Sequence, residues 1–134
     1  MAFLKVHKAY YGRVEDEFFA DKEKFGTVIE VLYWMIYAED FKSILQTLAE
    51  GGSYGADYCG IFLSSSWDEE GDEEDEDYFE DGVMFHMCKE KIIIDYPMFV
   101  KCMQFACRIY MEDFGEDEEI KKNLHIIEER YADK

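Results

Sequence analysis

From residue 28 onward, apolar positions recur with a helical period. Val28, Val31, Leu32, Met35 and Ile36 stand at i, i+3, i+4, i+7 and i+8, which lines one face of an α-helix. Thr27-Val28-Ile29-Glu30 just ahead has the form of a capping box: the threonine hydroxyl accepts the Glu30 N–H and the glutamate reaches back to the Thr27 N–H. Phe41, Ile44, Leu45 and Leu48 repeat the period before Gly51-Gly52, where glycine can take the left-handed conformation that closes a helix. Together these patterns predict helical structure over 28–50, as one bent helix or as an antiparallel pair. Residues 2–25 show a mixed pattern that reads as a short strand or helix.

The period then changes. Tyr58-Cys59-Gly60-Ile61-Phe62-Leu63 is short, aromatic and branched, and follows the turn-rich Ser53-Tyr54-Gly55-Ala56-Asp57, so it reads as a strand. Val83 to Met87 and Lys91 to Ile94 read as two more strands, joined in a hairpin by a tight turn at Cys88-Lys89-Glu90. Asp95 followed by Pro97 opens a helix, with the carboxylate as cap and the proline in the first turn, where its missing N–H is not needed. Phe99, Cys102, Met103, Ala106 and Tyr110 mark its buried face, and Gly115 ends it. Glu116-Asp117-Glu118-Glu119 opens the last helix with acids at the positive end of its dipole, Arg130 and Lys134 sit near the other end, and Ile120, Leu124, Ile127 and Tyr131 form its stripe. The expected fold class is α+β: a three-stranded antiparallel sheet over 58–63, 83–87 and 91–94, packed by helices near 28–50, 97–112 and 117–132. Length allows one domain, over 1–134, and there is no internal repeat.

Charge changes this picture. The 134 residues carry 14 Lys+Arg against 32 Asp+Glu, a formal net charge of -18, and 11 of those acids fall within 68–81. Removing that segment leaves the other 120 residues at -7, so one stretch holds most of the excess. Like charges at such density repel, which predicts a solvated, extended loop. A surface of this sign also repels nucleic-acid backbones and anionic lipid, which excludes both as direct electrostatic partners. Yet a hydrophobic fraction of 49%, with 11 Phe and 10 Tyr, supplies the apolar surface of a folded core.

No targeting segment is expected. The apolar start of the chain is too brief for a signal peptide, and the most apolar stretch, near 28–38, is far short of the roughly 20 residues of a bilayer span. A cytoplasmic protein follows. Cys59, Cys88, Cys102 and Cys107 lie in apolar runs, so reduced, mostly buried thiols are expected instead of disulfides.

Catalytic chemistry finds little to stand on. His7, His86 and His125 fall on three different elements with no acid or thiol at a triad spacing, and His86, within an apolar strand, reads as a core or rim side chain. Glycine-rich phosphate loops, nucleophile elbows and His-Glu-x-x-His motifs are absent. The acidic run is not a calcium loop either: counted from Asp68, the sixth position is Glu73 where a glycine is required and the twelfth is Phe79 where a bidentate glutamate is required. Cys102 and Cys107, five apart on one helix, do not share a face at zinc-ligand spacing. No enzyme, cofactor or dedicated metal site is expected.

What remains is the acidic segment with its aromatic brackets. Trp67 precedes it and Tyr78 and Phe79 stand near its end, around Asp68, Glu69, Glu70, Asp72, Glu73, Glu74, Asp75, Glu76 and Asp77. Solubility alone explains most charge runs. A binder of a basic protein surface, however, needs this combination: rings give desolvated anchors, while clustered carboxylates steer the encounter and pair with Lys and Arg.

The stretch from Phe41 to Tyr110 resembles the immunity proteins for ribonuclease toxins of bacterial contact-dependent growth inhibition (CDI) systems. The resemblance runs through Phe41-x-x-x-Leu45-x-x-Leu48-x-x-Gly51, the Gly55-x-Asp57-Tyr58-Cys59 turn into a strand, the acidic loop, Phe79-Glu80-Asp81-Gly82-Val83-x-Phe85, the Ile92-Ile93-Ile94 strand and Phe99-x-x-x-x-x-x-Ala106-Cys107-x-x-Tyr110. It covers about half of the chain, and its motifs are mainly fold-determining. It implies a small non-enzymatic protein that binds the C-terminal nuclease domain of a CDI toxin, one to one, and covers its RNA-cleaving site. A nuclease that grips RNA presents a basic cleft, so the resemblance and the charge point the same way. The residues expected to bind that partner are Trp67, Asp68, Glu69, Glu70, Asp72, Glu73, Glu74, Asp75, Glu76, Asp77, Tyr78 and Phe79, a choice that rests on the physics of the segment and on no family motif. The competing readings are an acidic nucleic-acid mimic that inhibits a DNA- or RNA-binding enzyme, and a non-enzymatic regulatory adaptor. A mimic spreads carboxylates over its surface at phosphate spacing, whereas here one loop concentrates them.

Overall fold

The computed structural model describes residues 25–38, 40–55, 59–64 and 82–131. In order these form α1 (Gly26–Ile36), α2 (Phe41–Ala49), β1 (Tyr54–Gly55), β2 (Cys59–Leu63), β3 (Val83–Met87), β4 (Glu90–Ile94), α3 (Tyr96–Phe114) and α4 (Glu118–Tyr131). The fold is α+β, and the sheet is antiparallel throughout, in the order β1-β2-β3-β4. Among the described residues it has four strands where the sequence predicts three. The additional strand, β1, is two residues long and pairs Tyr54 with Ile61 and Gly55 with Gly60. Two residues cannot display a period, and Ser53 and Gly55 are turn formers. What recruits them is the register of β2, aided by the Ser53 hydroxyl, which accepts the Leu63 N–H at 3.0 Å.

Register explains which strand faces are buried. Ile61, Phe85 and Ile92 stand opposite one another, as do Leu63, Val83 and Ile94, and these two rows join the core. The helices cover that face. α1 packs across β3 and β4 and against α3, while α4 lies between α2 and α3. Every apolar position predicted for α1 and α2 is buried. α1 also buries Ile29 and Tyr33, because it is wedged between sheet and α3 and has more than one covered stripe.

Helix ends show local chemistry directly. Asp95 has extended backbone and accepts the Met98 N–H at 2.9 Å, with Pro97 in the first turn, as the sequence predicts. α2 ends in a Schellman motif: Gly51, at φ 93, donates to the Leu48 carbonyl at 3.2 Å and Gly52 donates to that of Thr47 at 2.9 Å. Arg130 and Tyr131 of α4 complete this end, donating to the carbonyls of Ala49 at 3.3 Å and Leu48 at 3.0 Å. Arg130 thus serves the negative end of α2 as well as that of its own helix. At the start of α4, Asp117 accepts the N–H groups of Glu119 and Ile120 at 2.9 and 3.3 Å and pairs with Lys42 of α2. The Lys42 ammonium, followed by these N–H groups, holds the Asp117 carboxyl below its ordinary range.

Two local expectations are corrected. The capping box is not the start of α1, because the helix already includes Gly26, Thr27 lies inside its first turn, and the N-cap Phe25 has no side-chain cap bond. Phe25 packs against the core instead, so burial sets this boundary. The β3–β4 turn is Cys88-Lys89 alone, since Met87 pairs with Glu90 and Glu90 belongs to β4.

All four cysteines are free. Burial pushes the thiol of Cys102 up strongly and that of Cys107 up to about 12, so neither forms a thiolate near neutral pH. Cys88 is the exception to the expected apolar setting: it is exposed, at the tip of the hairpin, with φ 54. A β-carbon in left-handed conformation is strained by about 1–2 kcal/mol, whereas a flexible glycine offsets part of that gain. Cys88→Gly is therefore expected to stabilise the fold by up to about 1 kcal/mol, seen as a higher thermal midpoint. A lower midpoint would show that the Cys88 side chain has a supporting role.

Candidate functional site

The acidic segment leaves the sheet after β2 and returns before β3, and both attachment points are fastened. Ser64 donates its N–H to the Gly82 carbonyl at 3.0 Å, and its hydroxyl accepts the Gly82 N–H at 3.1 Å. The same hydroxyl lies 2.8 Å from the Tyr96 hydroxyl, at the first residue of α3. Tyr96 is 2% exposed and stacks on Tyr131 at 5.3 Å, so this neck is tied to both C-terminal helices. Gly82 has φ 105, and a β-carbon there would stand 2.6 Å from the Ile94 carbonyl oxygen. Glycine at position 82 thus meets a steric requirement of the neck.

Trp67, Asp68, Glu69, Glu70, Asp72, Glu73, Glu74, Asp75, Glu76, Asp77, Tyr78 and Phe79, the residues selected from sequence, all lie outside the described residues. The structure places the root of their segment, at one pole of the molecule beside the start of α3. On the sheet face away from the core, His86 stacks on Phe62 at 5.4 Å and covers Gly60, where an added β-carbon would meet its Nε2 at 2.6 Å. His86 is therefore a half-buried packing residue. His125 stands exposed on α4, 3.0 Å from Glu129. Among the described residues, no group of three or more His, Cys, Asp or Glu side chains is arranged to hold a metal ion, and no helix is long and apolar enough to cross a membrane.

Sequence reasoning passed over a second feature, at the far end of α3. There the rings of Tyr33, Tyr37 and Phe114 follow one another at 5.1 and 5.9 Å, and Phe114 meets Tyr110 at 4.8 Å. Tyr110 in turn stacks on Phe41 at 4.5 Å. The Tyr37 hydroxyl donates to Asp113 at 2.5 Å, linking the end of α1 to the last turn of α3. Phe114 is 58% exposed and Trp34, whose ring lies 5.5 Å from that of Tyr33, is 46% exposed. The signal was available. Trp34 sits off the buried stripe of α1, and Phe114 follows directly on two acids.

Comparison with known proteins bears on what these features serve. A sequence model of a family described as CDI immunity protein matches residues 25–124, from the start of α1 well into α4. The chain belongs to this CDI immunity protein family. No curated protein and no solved structure matches it. Membership implies a cognate CDI toxin as partner and neutralisation of that toxin as the role. The matched stretch of this CDI immunity protein contains both the neck and the aromatic pole, as well as the segment between Ser64 and Gly82.

Proposed function

We propose that this CDI immunity protein acts in the cytoplasm as a single, non-enzymatic domain that binds a ribonuclease toxin domain one to one and covers its basic RNA-binding site. The observation that carries this reading is the concentration of 11 carboxylates in 68–81, on a segment whose two ends are clamped together at one pole. Asp68, Glu69, Glu70, Asp72, Glu73, Glu74, Asp75, Glu76 and Asp77 supply charge that substitutes for RNA phosphates, and Trp67, Tyr78 and Phe79 supply anchors. A toxin cleft that attracts RNA attracts this segment for the same electrostatic reason.

The test uses the toxin domain encoded immediately upstream. Cells expressing this protein should survive that toxin, and the two should co-purify. Neutralising Asp72, Glu73, Glu74 and Asp75 together to Asn/Gln should slow association by about tenfold or more at low salt and flatten its salt dependence, with folding intact. Trp67→Ala or Phe79→Ala should instead speed dissociation, weakening the complex by roughly 1–3 kcal/mol. Wild-type association by the quadruple variant would remove the segment from the interface. Continued sensitivity of expressing cells to the linked toxin would remove the immunity role.

A further inference from the structure

Two of the four cysteines come together at the end of the sheet far from the neck. β2 and β3 run antiparallel with Cys59 opposite Met87, so Cys88, the next residue, lies diagonally across from Cys59. Neighbouring strands stand about 5 Å apart and each residue advances a strand by about 3.3 Å, which sets the two α-carbons about 6 Å apart, within the span of a disulfide. Had β3 continued, position 88 would point to the face opposite Met87. It does not continue: at φ 54 Cys88 has left the strand, and its β-carbon is aimed anew in the Cys88-Lys89 turn. The two sulfurs feel one another there. Burial holds the Cys59 thiol above its ordinary range, the Tyr54 hydroxyl bonded to it offsets part of that, and the Cys88 thiol raises it further. Exposure divides the pair, since Cys59 is buried and Cys88 is open to solvent.

We propose that Cys59 and Cys88 form a peroxide-driven disulfide switch that ties the start of β2 to the end of β3. Hydrogen peroxide is the oxidant. The exposed Cys88 sulfur attacks it, the O–O bond breaks, and Cys88 keeps one oxygen as a sulfenic acid while the other leaves as water. The Cys59 sulfur then attacks that of Cys88; the S–O bond breaks as the S–S bond forms, and the Cys59 proton leaves with the hydroxyl as a second water. Two thiols and one peroxide thus give one disulfide and two waters. Tyr54 assists the second step by favouring the charged form of the Cys59 sulfur. Cys102 and Cys107 take no part, because both are fully buried on α3. The bond closes a loop of roughly 30 residues that contains the whole acidic segment, so oxidation joins the two strands that carry it and removes freedom from the unfolded chain. The folded protein gains stability when peroxide rises, and a thiol reductant releases it. This switch is independent of the toxin-binding role.

The test treats the full chain, purified under reductant and then freed of it, with hydrogen peroxide, and reads intact mass, peptide map and thermal unfolding. Wild type should lose two hydrogens and, after cleavage at the acidic residues between the two cysteines, give a peptide pair linked through Cys59 and Cys88. Its melting temperature should rise by roughly 5–10 °C and fall back with dithiothreitol. Cys88→Ser, at an exposed position, should fold normally and show neither change. Cys59→Ser should stop at the sulfenic acid, which dimedone traps at Cys88; Cys59→Ala serves the same purpose if serine destabilises the buried site. Disulfide-linked dimers through Cys88 without the internal pair would show that Cys88 reacts only between molecules, and the proposal would fall. Loss of two hydrogens in either Cys59 variant, a linkage through Cys102 or Cys107, or a melting temperature that the internal bond leaves unchanged would overturn it equally.

Discussion

Phe99→Ala is expected to lower the unfolding free energy by about 3–5 kcal/mol, a large share of the roughly 5–15 kcal/mol of a domain this size. Phe99 is fully buried and meets the edges of Tyr131 at 5.6 Å and Tyr96 at 6.5 Å. Removing the ring takes away its transfer free energy and leaves a cavity between side chains that cannot collapse freely. Each neighbour is committed elsewhere. Tyr131 donates to the Leu48 carbonyl at the end of α2, and Tyr96 is tied to Ser64 at the neck. The change should therefore loosen the contact between α2, α3 and α4 together. Urea unfolding should show a lower midpoint at an unchanged slope. A loss under about 1 kcal/mol would mean that these rings pack independently. Phe114→Ala on the same helix, at 58% exposure, should stay within about 1 kcal/mol of wild type.

The helices were legible because a buried stripe has to repeat at the helical period. Val28, Val31, Leu32, Met35 and Ile36 are buried as predicted, as are Phe99, Cys102, Met103 and Ala106, while Tyr110 is half-buried at the end of its stripe and Leu124 is half-buried within its own, where the neighbouring Asn123 is buried. Caps were legible where the side chain alone decides, as at Asp95, and misread where packing decides, as at Thr27 near the half-buried Phe25. β1 escaped because its pairing is set by β2, and Cys88 looked like a core thiol because a turn tip between two apolar strands borrows their composition.

The candidate surfaces divide along a similar line. Charge density shows in a sequence without any structure, so the 68–81 run stood out, although its residues lie outside those described. A surface assembled from separate helices does not show. Tyr37 and Phe114 are far apart along the chain, and only the crossing of α1 and α3 brings their rings to 5.9 Å. What the sequence did hold was a violation of helix-dipole preference, Glu112 and Asp113 at a C-terminus. Asp113 has a structural use there, as acceptor for the Tyr37 hydroxyl at 2.5 Å.

Among the described glycines, Gly82→Ala should be the most damaging, at about 2–4 kcal/mol. Two effects act at once. A φ of 105 is one that side chains rarely adopt, and the added carbon would stand 2.6 Å from the Ile94 carbonyl oxygen and 3.1 Å from Ile93 Cγ2. That carbonyl is backbone of β4, held by the pairing of Ile94 with Val83, so it cannot move aside without opening the β3–β4 ladder. Rotating Gly82 away would break its two hydrogen bonds with Ser64. Gly26→Ala is the internal control: an added β-carbon meets nothing within 4 Å, and alanine favours the helix there by up to about 1 kcal/mol. Thermal unfolding of the two variants should therefore move in opposite directions from wild type. If Gly82→Ala unfolds at the wild-type temperature, the neck is not a fixed closure. If it unfolds early as expected, the same glycine that fits the strand entry also fixes where the chain rejoins the sheet after the acidic segment, and on the proposed acidic-segment interface toxin association should slow even under conditions where the variant is fully folded.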